Sequence, residues 1–350
     1  MSGDEIPSSF TIGNTAQEKG FDYVPECYVV SHSKASNSDV KEARVPIIDM
    51  TPLRKYGSER SVAVKELGEA CGRRGFFQVV NHGISQSILD EVLAVASDFF
   101  DLPAREKLKF KSSNVYEPVR YATSLKDGVD KVQYWRIFLK HYAHPLEAWI
   151  DSWPDNPPHY REKMGKYCAE VRKLALELMG TVIESLAISP NQLSQQMEHG
   201  MQVIAVNCYP PCPEPNTALG LPPHSDYTCL TILLQNSTGL EILDTKDGNW
   251  IVVPEIHGTL QVHVGDHFEV LSNGVYKSVV HRATLNSERT RISIASLHSL
   301  GMDDKMGTAE ELVDEENPKI YKESSFKDFL DFLATDDIAD GKRFIDTLRT

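Results

Sequence analysis

The residues with the most chemistry in this chain stand in its C-terminal half: His224-Ser225-Asp226, then His281, then Arg291-Ile292-Ser293. Two imidazoles and one carboxylate are the ligand set that leaves coordination positions of a ferrous ion open. An open position marks a metal that reacts rather than one that staples a fold. The spacing suggests a shared face, because an i, i+2 pair on a strand projects to one side, as His224 and Asp226 would. Arg291 and Ser293 repeat that spacing, and so do Asn207 and Tyr209. Three such pairs facing one cavity would supply metal ligands, a planar cation suited to bidentate capture of a carboxylate, and hydroxyl and amide groups beside it.

Each of these residues also has a plainer reading. The chain holds 12 histidines, so one HxD arises easily by chance, and single histidines mostly pack or face solvent. His82, His257, His263, His267 and His298 are read that way. Asn207 could satisfy backbone groups at a strand end, Tyr209 could be core, and Arg291 could pair with a surface acid. The order of the motifs and the text around them weigh toward a site.

That ordered set, NxY, HxD, a distal His and RxS, resembles the plant 2-oxoglutarate- and Fe(II)-dependent dioxygenases of specialised metabolism. The flanking text agrees: RVPIIDM (44–50), GFFQVVNHGI (75–84), NCYPPCPEP (207–215), LPPHSD (221–226) and GDHFEVLSNGVYKSVVHR (265–282). The resemblance implies Fe(II) held by His224, Asp226 and His281, and 2-oxoglutarate as cosubstrate. Arg291 and Ser293 would hold its distal carboxylate, with Asn207 and Tyr209 beside them. It also implies O2 as oxidant, ascorbate as reductant, and release of succinate and CO2 coupled to hydroxylation or desaturation of a small phenolic substrate. The runs DKVQYWRIFLKHYAHPLEAWIDSWPDNPP and RFIDTLR are similar to the branch of flavone synthase I, flavanone hydroxylases and the downy-mildew-resistance salicylate hydroxylases. A flavanone is therefore the expected substrate and salicylate the alternative. Anthocyanidin-forming relatives carry a lysine where this chain has Ala205 and an aromatic residue where it has Leu297, which speaks against a leucoanthocyanidin or flavonol-type reaction. Arg120, Tyr121, Phe138, Leu297 and His298 are expected around the substrate, with ordinary packing as the other reading of each. Two readings from other classes stay open. A zinc hydrolase would want a general base and would leave Arg291 and Ser293 without a task; a non-catalytic jelly-roll binding protein should have lost a ligand, and none is lost.

The elements that must position these residues read as helices first and strands afterwards. The expected fold is α+β: a double-stranded β-helix (jelly-roll) core with a helical N-terminal half and a C-terminal helix. Residues 1–43 read as an N-terminal arm and polar connector, 44–200 as a helix-rich region packing on the barrel, 201–300 as the jelly-roll core, and 301–350 as a helical closure. Met164, Cys168, Val171, Ala175, Leu178, Val182 and Leu186 keep helical spacing and predict a buttress behind the barrel. Leu260, Val262 and Val264 alternate with Gln261 and His263, and Asp247-Gly248 and Asn273-Gly274 mark tight hairpins.

Composition bounds the partners. A formal charge of −14 speaks against nucleic acid and anionic membrane surfaces. No apolar run reaches the ~18 residues of a spanning helix, and the acidic start MSGDEIPSSFTIGN does not read as a secretory signal. Six cysteines without framework spacing point to reduced thiols. The expectation is a cytoplasmic monomer acting on a small molecule.

Overall fold

Short β-branched and aromatic runs separated by Gly, Pro and Asn form twelve strands in the computed structural model, which describes residues 16, 18–30, 45–123, 133–189, 191–244, 246–336 and 341–350. The connector expected over 31–43 lies outside the described residues, as does most of the arm before it. The strands are β1 Ile47–Asp49, β2 Phe76–Val80, β3 Val119–Ala122, β4 Ile137–His144, β5 Gln202–Tyr209, β6 Leu221–His224, β7 Leu230–Gln235, β8 Leu240–Leu243, β9 Trp250–Val252, β10 Leu260–Val264, β11 His281–Ala283 and β12 Arg291–His298. Eight of them form one sheet in the order β1-β2-β10-β7-β12-β5-β4-β3, and four form another in the order β6-β11-β8-β9. β1 and β2 run parallel and β12 lies antiparallel to both β5 and β7. The result is a double-stranded β-helix, with β1 to β4 extending its large sheet from the helix-rich region.

Both faces of the large sheet are covered. On β12, Ile292 and Ile294 are buried in the main apolar cluster with residues of the helices. Arg291, Ser293, Ala295 and Leu297 turn the other way and line a cavity between the sheets. A second apolar cluster joins Phe76 and Leu233 of the large sheet to Leu240, Ile242 and Ile251 of the small one. The alternation on β10 is therefore not core against solvent. All five residues are buried, with Leu260, Val262 and Val264 in the main cluster and His263 on the inner, cavity-lining face.

Behind the large sheet lie helices Ser58–Arg74, Gln86–Asp101 and Tyr160–Ser185. All seven residues of the expected buttress stripe are buried. Gly75 ends the first of these helices at φ 64°, and an added Cβ would stand 2.0 Å from the Lys277 carbonyl oxygen. Only glycine fits that left-handed stop. Asp247-Gly248 joins β8 to β9 as expected, with Gly248 at φ 71°. Asn273-Gly274 does not make a hairpin. It closes the helix Asp266–Leu271, with the Gly274 N–H donating to the Glu269 carbonyl at 2.8 Å. Left-handed residues serve both helix ends and type I′ turns, so the dipeptide alone does not separate them. Near the C-terminus, helix Phe326–Thr335 starts with a reciprocal Ser325/Asp328 capping box.

Candidate active site

β6 ends at His224 and β11 begins at His281, and the two are opposite one another across the antiparallel pair. Their rings stand 4.2 Å apart between centroids. Asp226 lies two residues past the end of β6, just before the bend at residues 227–229, and its carbonyl accepts the Asp266 N–H at 2.8 Å. Asp226 Oδ1 then stands 3.7 Å from His224 Nε2 and 3.8 Å from His281 Nε2. One ligand atom from each of the three lies within 4.8 Å of the others. Atoms sharing one ion at bonds of ~2.0–2.2 Å stand no more than about 4.4 Å apart, so the 3.7 and 3.8 Å separations admit a common ion.

The imidazoles are oriented from behind. His224 Nδ1 faces the Pro222 carbonyl at 2.8 Å, and His281 Nδ1 faces the Val279 carbonyl at 3.2 Å. A carbonyl accepts from a protonated Nδ1, which leaves the Nε2 lone pair free for a metal. Burial, followed by the neighbouring His281 ring, pushes His224 down to about 3, and burial pushes His281 down to about 4. Both stay neutral, as ligands must. Burial alone would raise the Asp226 carboxyl, but the imidazoles of His281, His263 and His224 outweigh it and hold the group well below the usual carboxylate range.

Next along the inner face come the two strand pairs of the cosubstrate end. Arg291 faces Tyr209 across β12 and β5, and Ser293 faces Asn207. The Arg291 guanidinium lies 4.9 Å over the Tyr209 ring, donating from Nη2 to Gln235 Oε1 at 2.7 Å and from Nε to the Ser237 carbonyl at 3.2 Å. Its Nη1 is buried with no hydrogen-bond partner. A buried charged donor left idle is costly, and a ligand carboxylate would satisfy it. The three metal-ligand candidates and these four residues line one cavity of ≈ 140 Å³. A second cavity of ≈ 150 Å³ adjoins it under the C-terminal segment, walled by Phe329, Phe332, Leu333 and Phe344. Arg136, Leu221 and His224 line both.

The expected substrate residues divide. Leu297 lines the first cavity. Phe138 shares the inner face, opposite Asn207, but lies under the Arg136 and Arg120 guanidiniums at 4.6 and 5.2 Å. Arg120, Tyr121, Phe138 and His298 line neither cavity. β3 lies at the sheet edge, two strands from β5, and there Arg120 Nε donates to the Ser112 carbonyl at 2.9 Å. Tyr121, one residue on, turns to the opposite face and meets Phe99 at 6.0 Å. His298 likewise follows Leu297 by one residue and turns away, its Nε2 2.9 Å from Ser296 Oγ. Residues 124–132, between Tyr121 and Phe138, lie outside the described residues.

Residues not singled out from the sequence take these places. Arg136, two residues before Phe138, donates from Nη1 to Asn207 Oδ1 at 3.1 Å. His263, taken for packing, has Nδ1 3.5 Å from Asp226 Oδ2. Phe329 and Phe332 wall the second cavity. The signals were present as i, i+2 spacing around Phe138, the polar side of the β10 alternation, and i, i+3 spacing in the last long helix.

Comparison with known proteins places this geometry in context. Residues 200–299 match the 2OG-Fe(II) oxygenase superfamily, and residues 45–158 match the N-terminal region described as non-haem dioxygenase in morphine synthesis. In rice (Oryza sativa subsp. japonica), 2-oxoglutarate-dependent dioxygenase 21, chloroplastic, is 48% identical, covering 87% of this chain and 91% of that protein. Rice flavanone 3-dioxygenase 3 is 48% identical over 83% of this chain and 88% of its own length. The Arabidopsis thaliana protein DOWNY MILDEW RESISTANCE 6 is 36% identical over 87% and 90%. The crystal structure of JOX2 in complex with 2OG, Fe and JA superposes with a TM-score of 0.81 at 30% identity, covering 91% of this chain and 92% of that one. Among the described residues, no helix is long and apolar enough to cross a membrane.

Proposed function

From the premise that this chain belongs to the 2OG-Fe(II) oxygenase superfamily and is a 2-oxoglutarate-dependent dioxygenase, we propose that it hydroxylates or desaturates a flavanone. The observation that carries this reading is the aromatic-walled cavity under helix Phe326–Thr335, which adjoins the His224–Asp226–His281 cluster and shares His224 with it. His224, Asp226 and His281 would hold Fe(II). Bound there, the ion supplies O2 activation coupled to conversion of 2-oxoglutarate to succinate and CO2, with ascorbate keeping it reduced.

The chain's own groups do the rest. Arg291 Nη1 would donate to the distal carboxylate of 2-oxoglutarate, with the Ser293 and Tyr209 hydroxyls beside it. Asn207, held by Arg136, faces the same space. Phe329, Phe332 and Phe344 exclude water and offer faces to an aromatic ring. Positioning one C–H bond then decides the product. The rice relative named flavanone 3-dioxygenase 3 supports a flavanone. Arg136 favours one second reading, a compact phenolic carboxylate such as salicylate, because its cation borders both cavities. We also propose a monomer, and a reducing compartment, which the six free cysteines support. The cytoplasm is the expected compartment, and the chloroplast, named for one rice relative, is the alternative.

The test is purified protein with Fe(II), ascorbate and 2-oxoglutarate, offered naringenin or salicylate, with succinate and product read by mass spectrometry. Naringenin should stimulate succinate release. Stimulation by salicylate alone transfers the assignment to the second reading, and in that case Arg136→Leu should cost at least tenfold, the loss of a charged hydrogen bond of ~1.5–3 kcal/mol. Stimulation by neither overturns the phenolic class.

A further inference from the structure

His263 is 1% exposed, on the inner face of β10. Its ring meets those of Phe76 and His281 at 5.3 and 4.5 Å. Neither ring nitrogen makes an aligned hydrogen bond. Burying an idle imidazole costs more than burying an apolar side chain of similar size, so simple packing does not account for a histidine here. Asp226 divides its two oxygens: Oδ1 faces His224 Nε2 and His281 Nε2, while Oδ2 faces His263 Nδ1 at 3.5 Å.

We propose that His263 is a positioning residue for the metal. Its Nδ1–H donates to Asp226 Oδ2, which keeps Oδ1 alone turned toward the ion and reserves the remaining coordination positions for cosubstrate and O2. The two atoms stand 3.5 Å apart, and their closing to the ~2.7–3.2 Å of an N–H···O bond is part of the proposal. His263 is not part of the ligand set itself, since the group whose donor atoms lie within 4.8 Å of one another contains His224, Asp226 and His281 only. The proposal rests on the Fe(II) reading of those three residues. An orienting partner behind a metal-bound carboxylate is typically worth 10- to 100-fold in metal affinity.

The experiment is an anaerobic titration of metal-free enzyme with Co(II) in the presence of 2-oxoglutarate, read by the d–d absorption band. Thermal unfolding of the metal-free proteins serves as the fold control. His263→Leu should weaken Co(II) binding by about 10- to 100-fold and change the intensity of the band, because a freed Oδ2 alters the coordination number. Its metal-free melting temperature should hold or rise. His263→Asn, whose Nδ2 can stand where Nδ1 stood, should recover most of the affinity and the wild-type band. If His263→Leu melts early, His263→Ala replaces it in the same comparison. Unchanged Co(II) affinity and band in the variant lacking the donor overturn the proposal. So does an Asn variant that folds normally and binds as weakly as the variant without a donor. Wild-type protein that binds no Co(II) overturns the metal reading itself, a result distinct from either of these.

Discussion

Arg291→Lys separates the fork of the guanidinium from its charge. In the native site Nε and Nη2 are committed to the Ser237 carbonyl and Gln235 Oε1, which leaves Nη1 as the idle donor facing the cavity. A lysine ammonium at the end of a flexible stem cannot hold both internal acceptors and still present a fixed donor. The expected loss is one charge-assisted hydrogen bond to the 2-oxoglutarate carboxylate, ~1.5–3 kcal/mol, partly offset by the retained charge. At ~1.4 kcal/mol per tenfold, that raises the 2-oxoglutarate half-saturation by about 10- to 150-fold. Succinate formation measured against 2-oxoglutarate at saturating primary substrate reads the shift. Calorimetric binding under nitrogen reads it without turnover. The primary-substrate half-saturation should move far less, and thermal unfolding should show the folded state retained, lowered by no more than the ~1–3 kcal/mol of an under-satisfied buried acceptor. An unchanged 2-oxoglutarate half-saturation in a folded variant would refute the assignment of Arg291 as the carboxylate anchor.

His224→Ala removes one of three candidate ligands and should abolish both metal binding and succinate release, with the metal-free melting temperature nearly unchanged; full turnover at saturating Fe(II) would end the triad reading. Gly239→Ala should raise the 2-oxoglutarate half-saturation severalfold and cost on the order of 1–3 kcal/mol of stability. Gly239 sits at φ 153°, and a Cβ there would stand 2.7 Å from Arg291 Cδ, so wild-type kinetics would show that Arg291 placement does not matter. Lys140 is pushed down to about 7, first by burial and then by Arg120. Below that value both folded and unfolded chains hold the proton and the folded state bears the full burial cost. Between about 7 and the ordinary ~10.4 only the unfolded chain holds it, so stability from this group rises with pH. Lys140→Met should therefore raise the melting temperature at pH 6 by more than at pH 10, and equal gains at both would count against a strained buried ammonium.

Much of the fold and of the candidate site could be read from residue order alone, because it depends on local periodicity. The stripe from Met164 to Leu186 has helical spacing whatever it packs against, and Arg291 with Ser293 or Asn207 with Tyr209 must share a face on any strand. Strand register was not legible. Arg291 meets Tyr209 only because β12 and β5 pair as they do, and Arg120 and Tyr121 miss the cavities because β3 falls at the sheet edge. A one-residue offset was enough to turn His298 away while Leu297 faced in. Asp226 shows the same limit: its i, i+2 spacing to His224 suggests a shared face, but β6 ends at His224 and the Asp226 backbone is held by the distant Asp266 N–H. His263 and Arg136 looked like packing and flank in the sequence, and became neighbours of Asp226 and Asn207 through contacts between segments 37 and 71 residues apart. Side-chain period is a property of one segment, whereas which groups share a buried site depends on pairing between distant segments, and only the tertiary structure decides that.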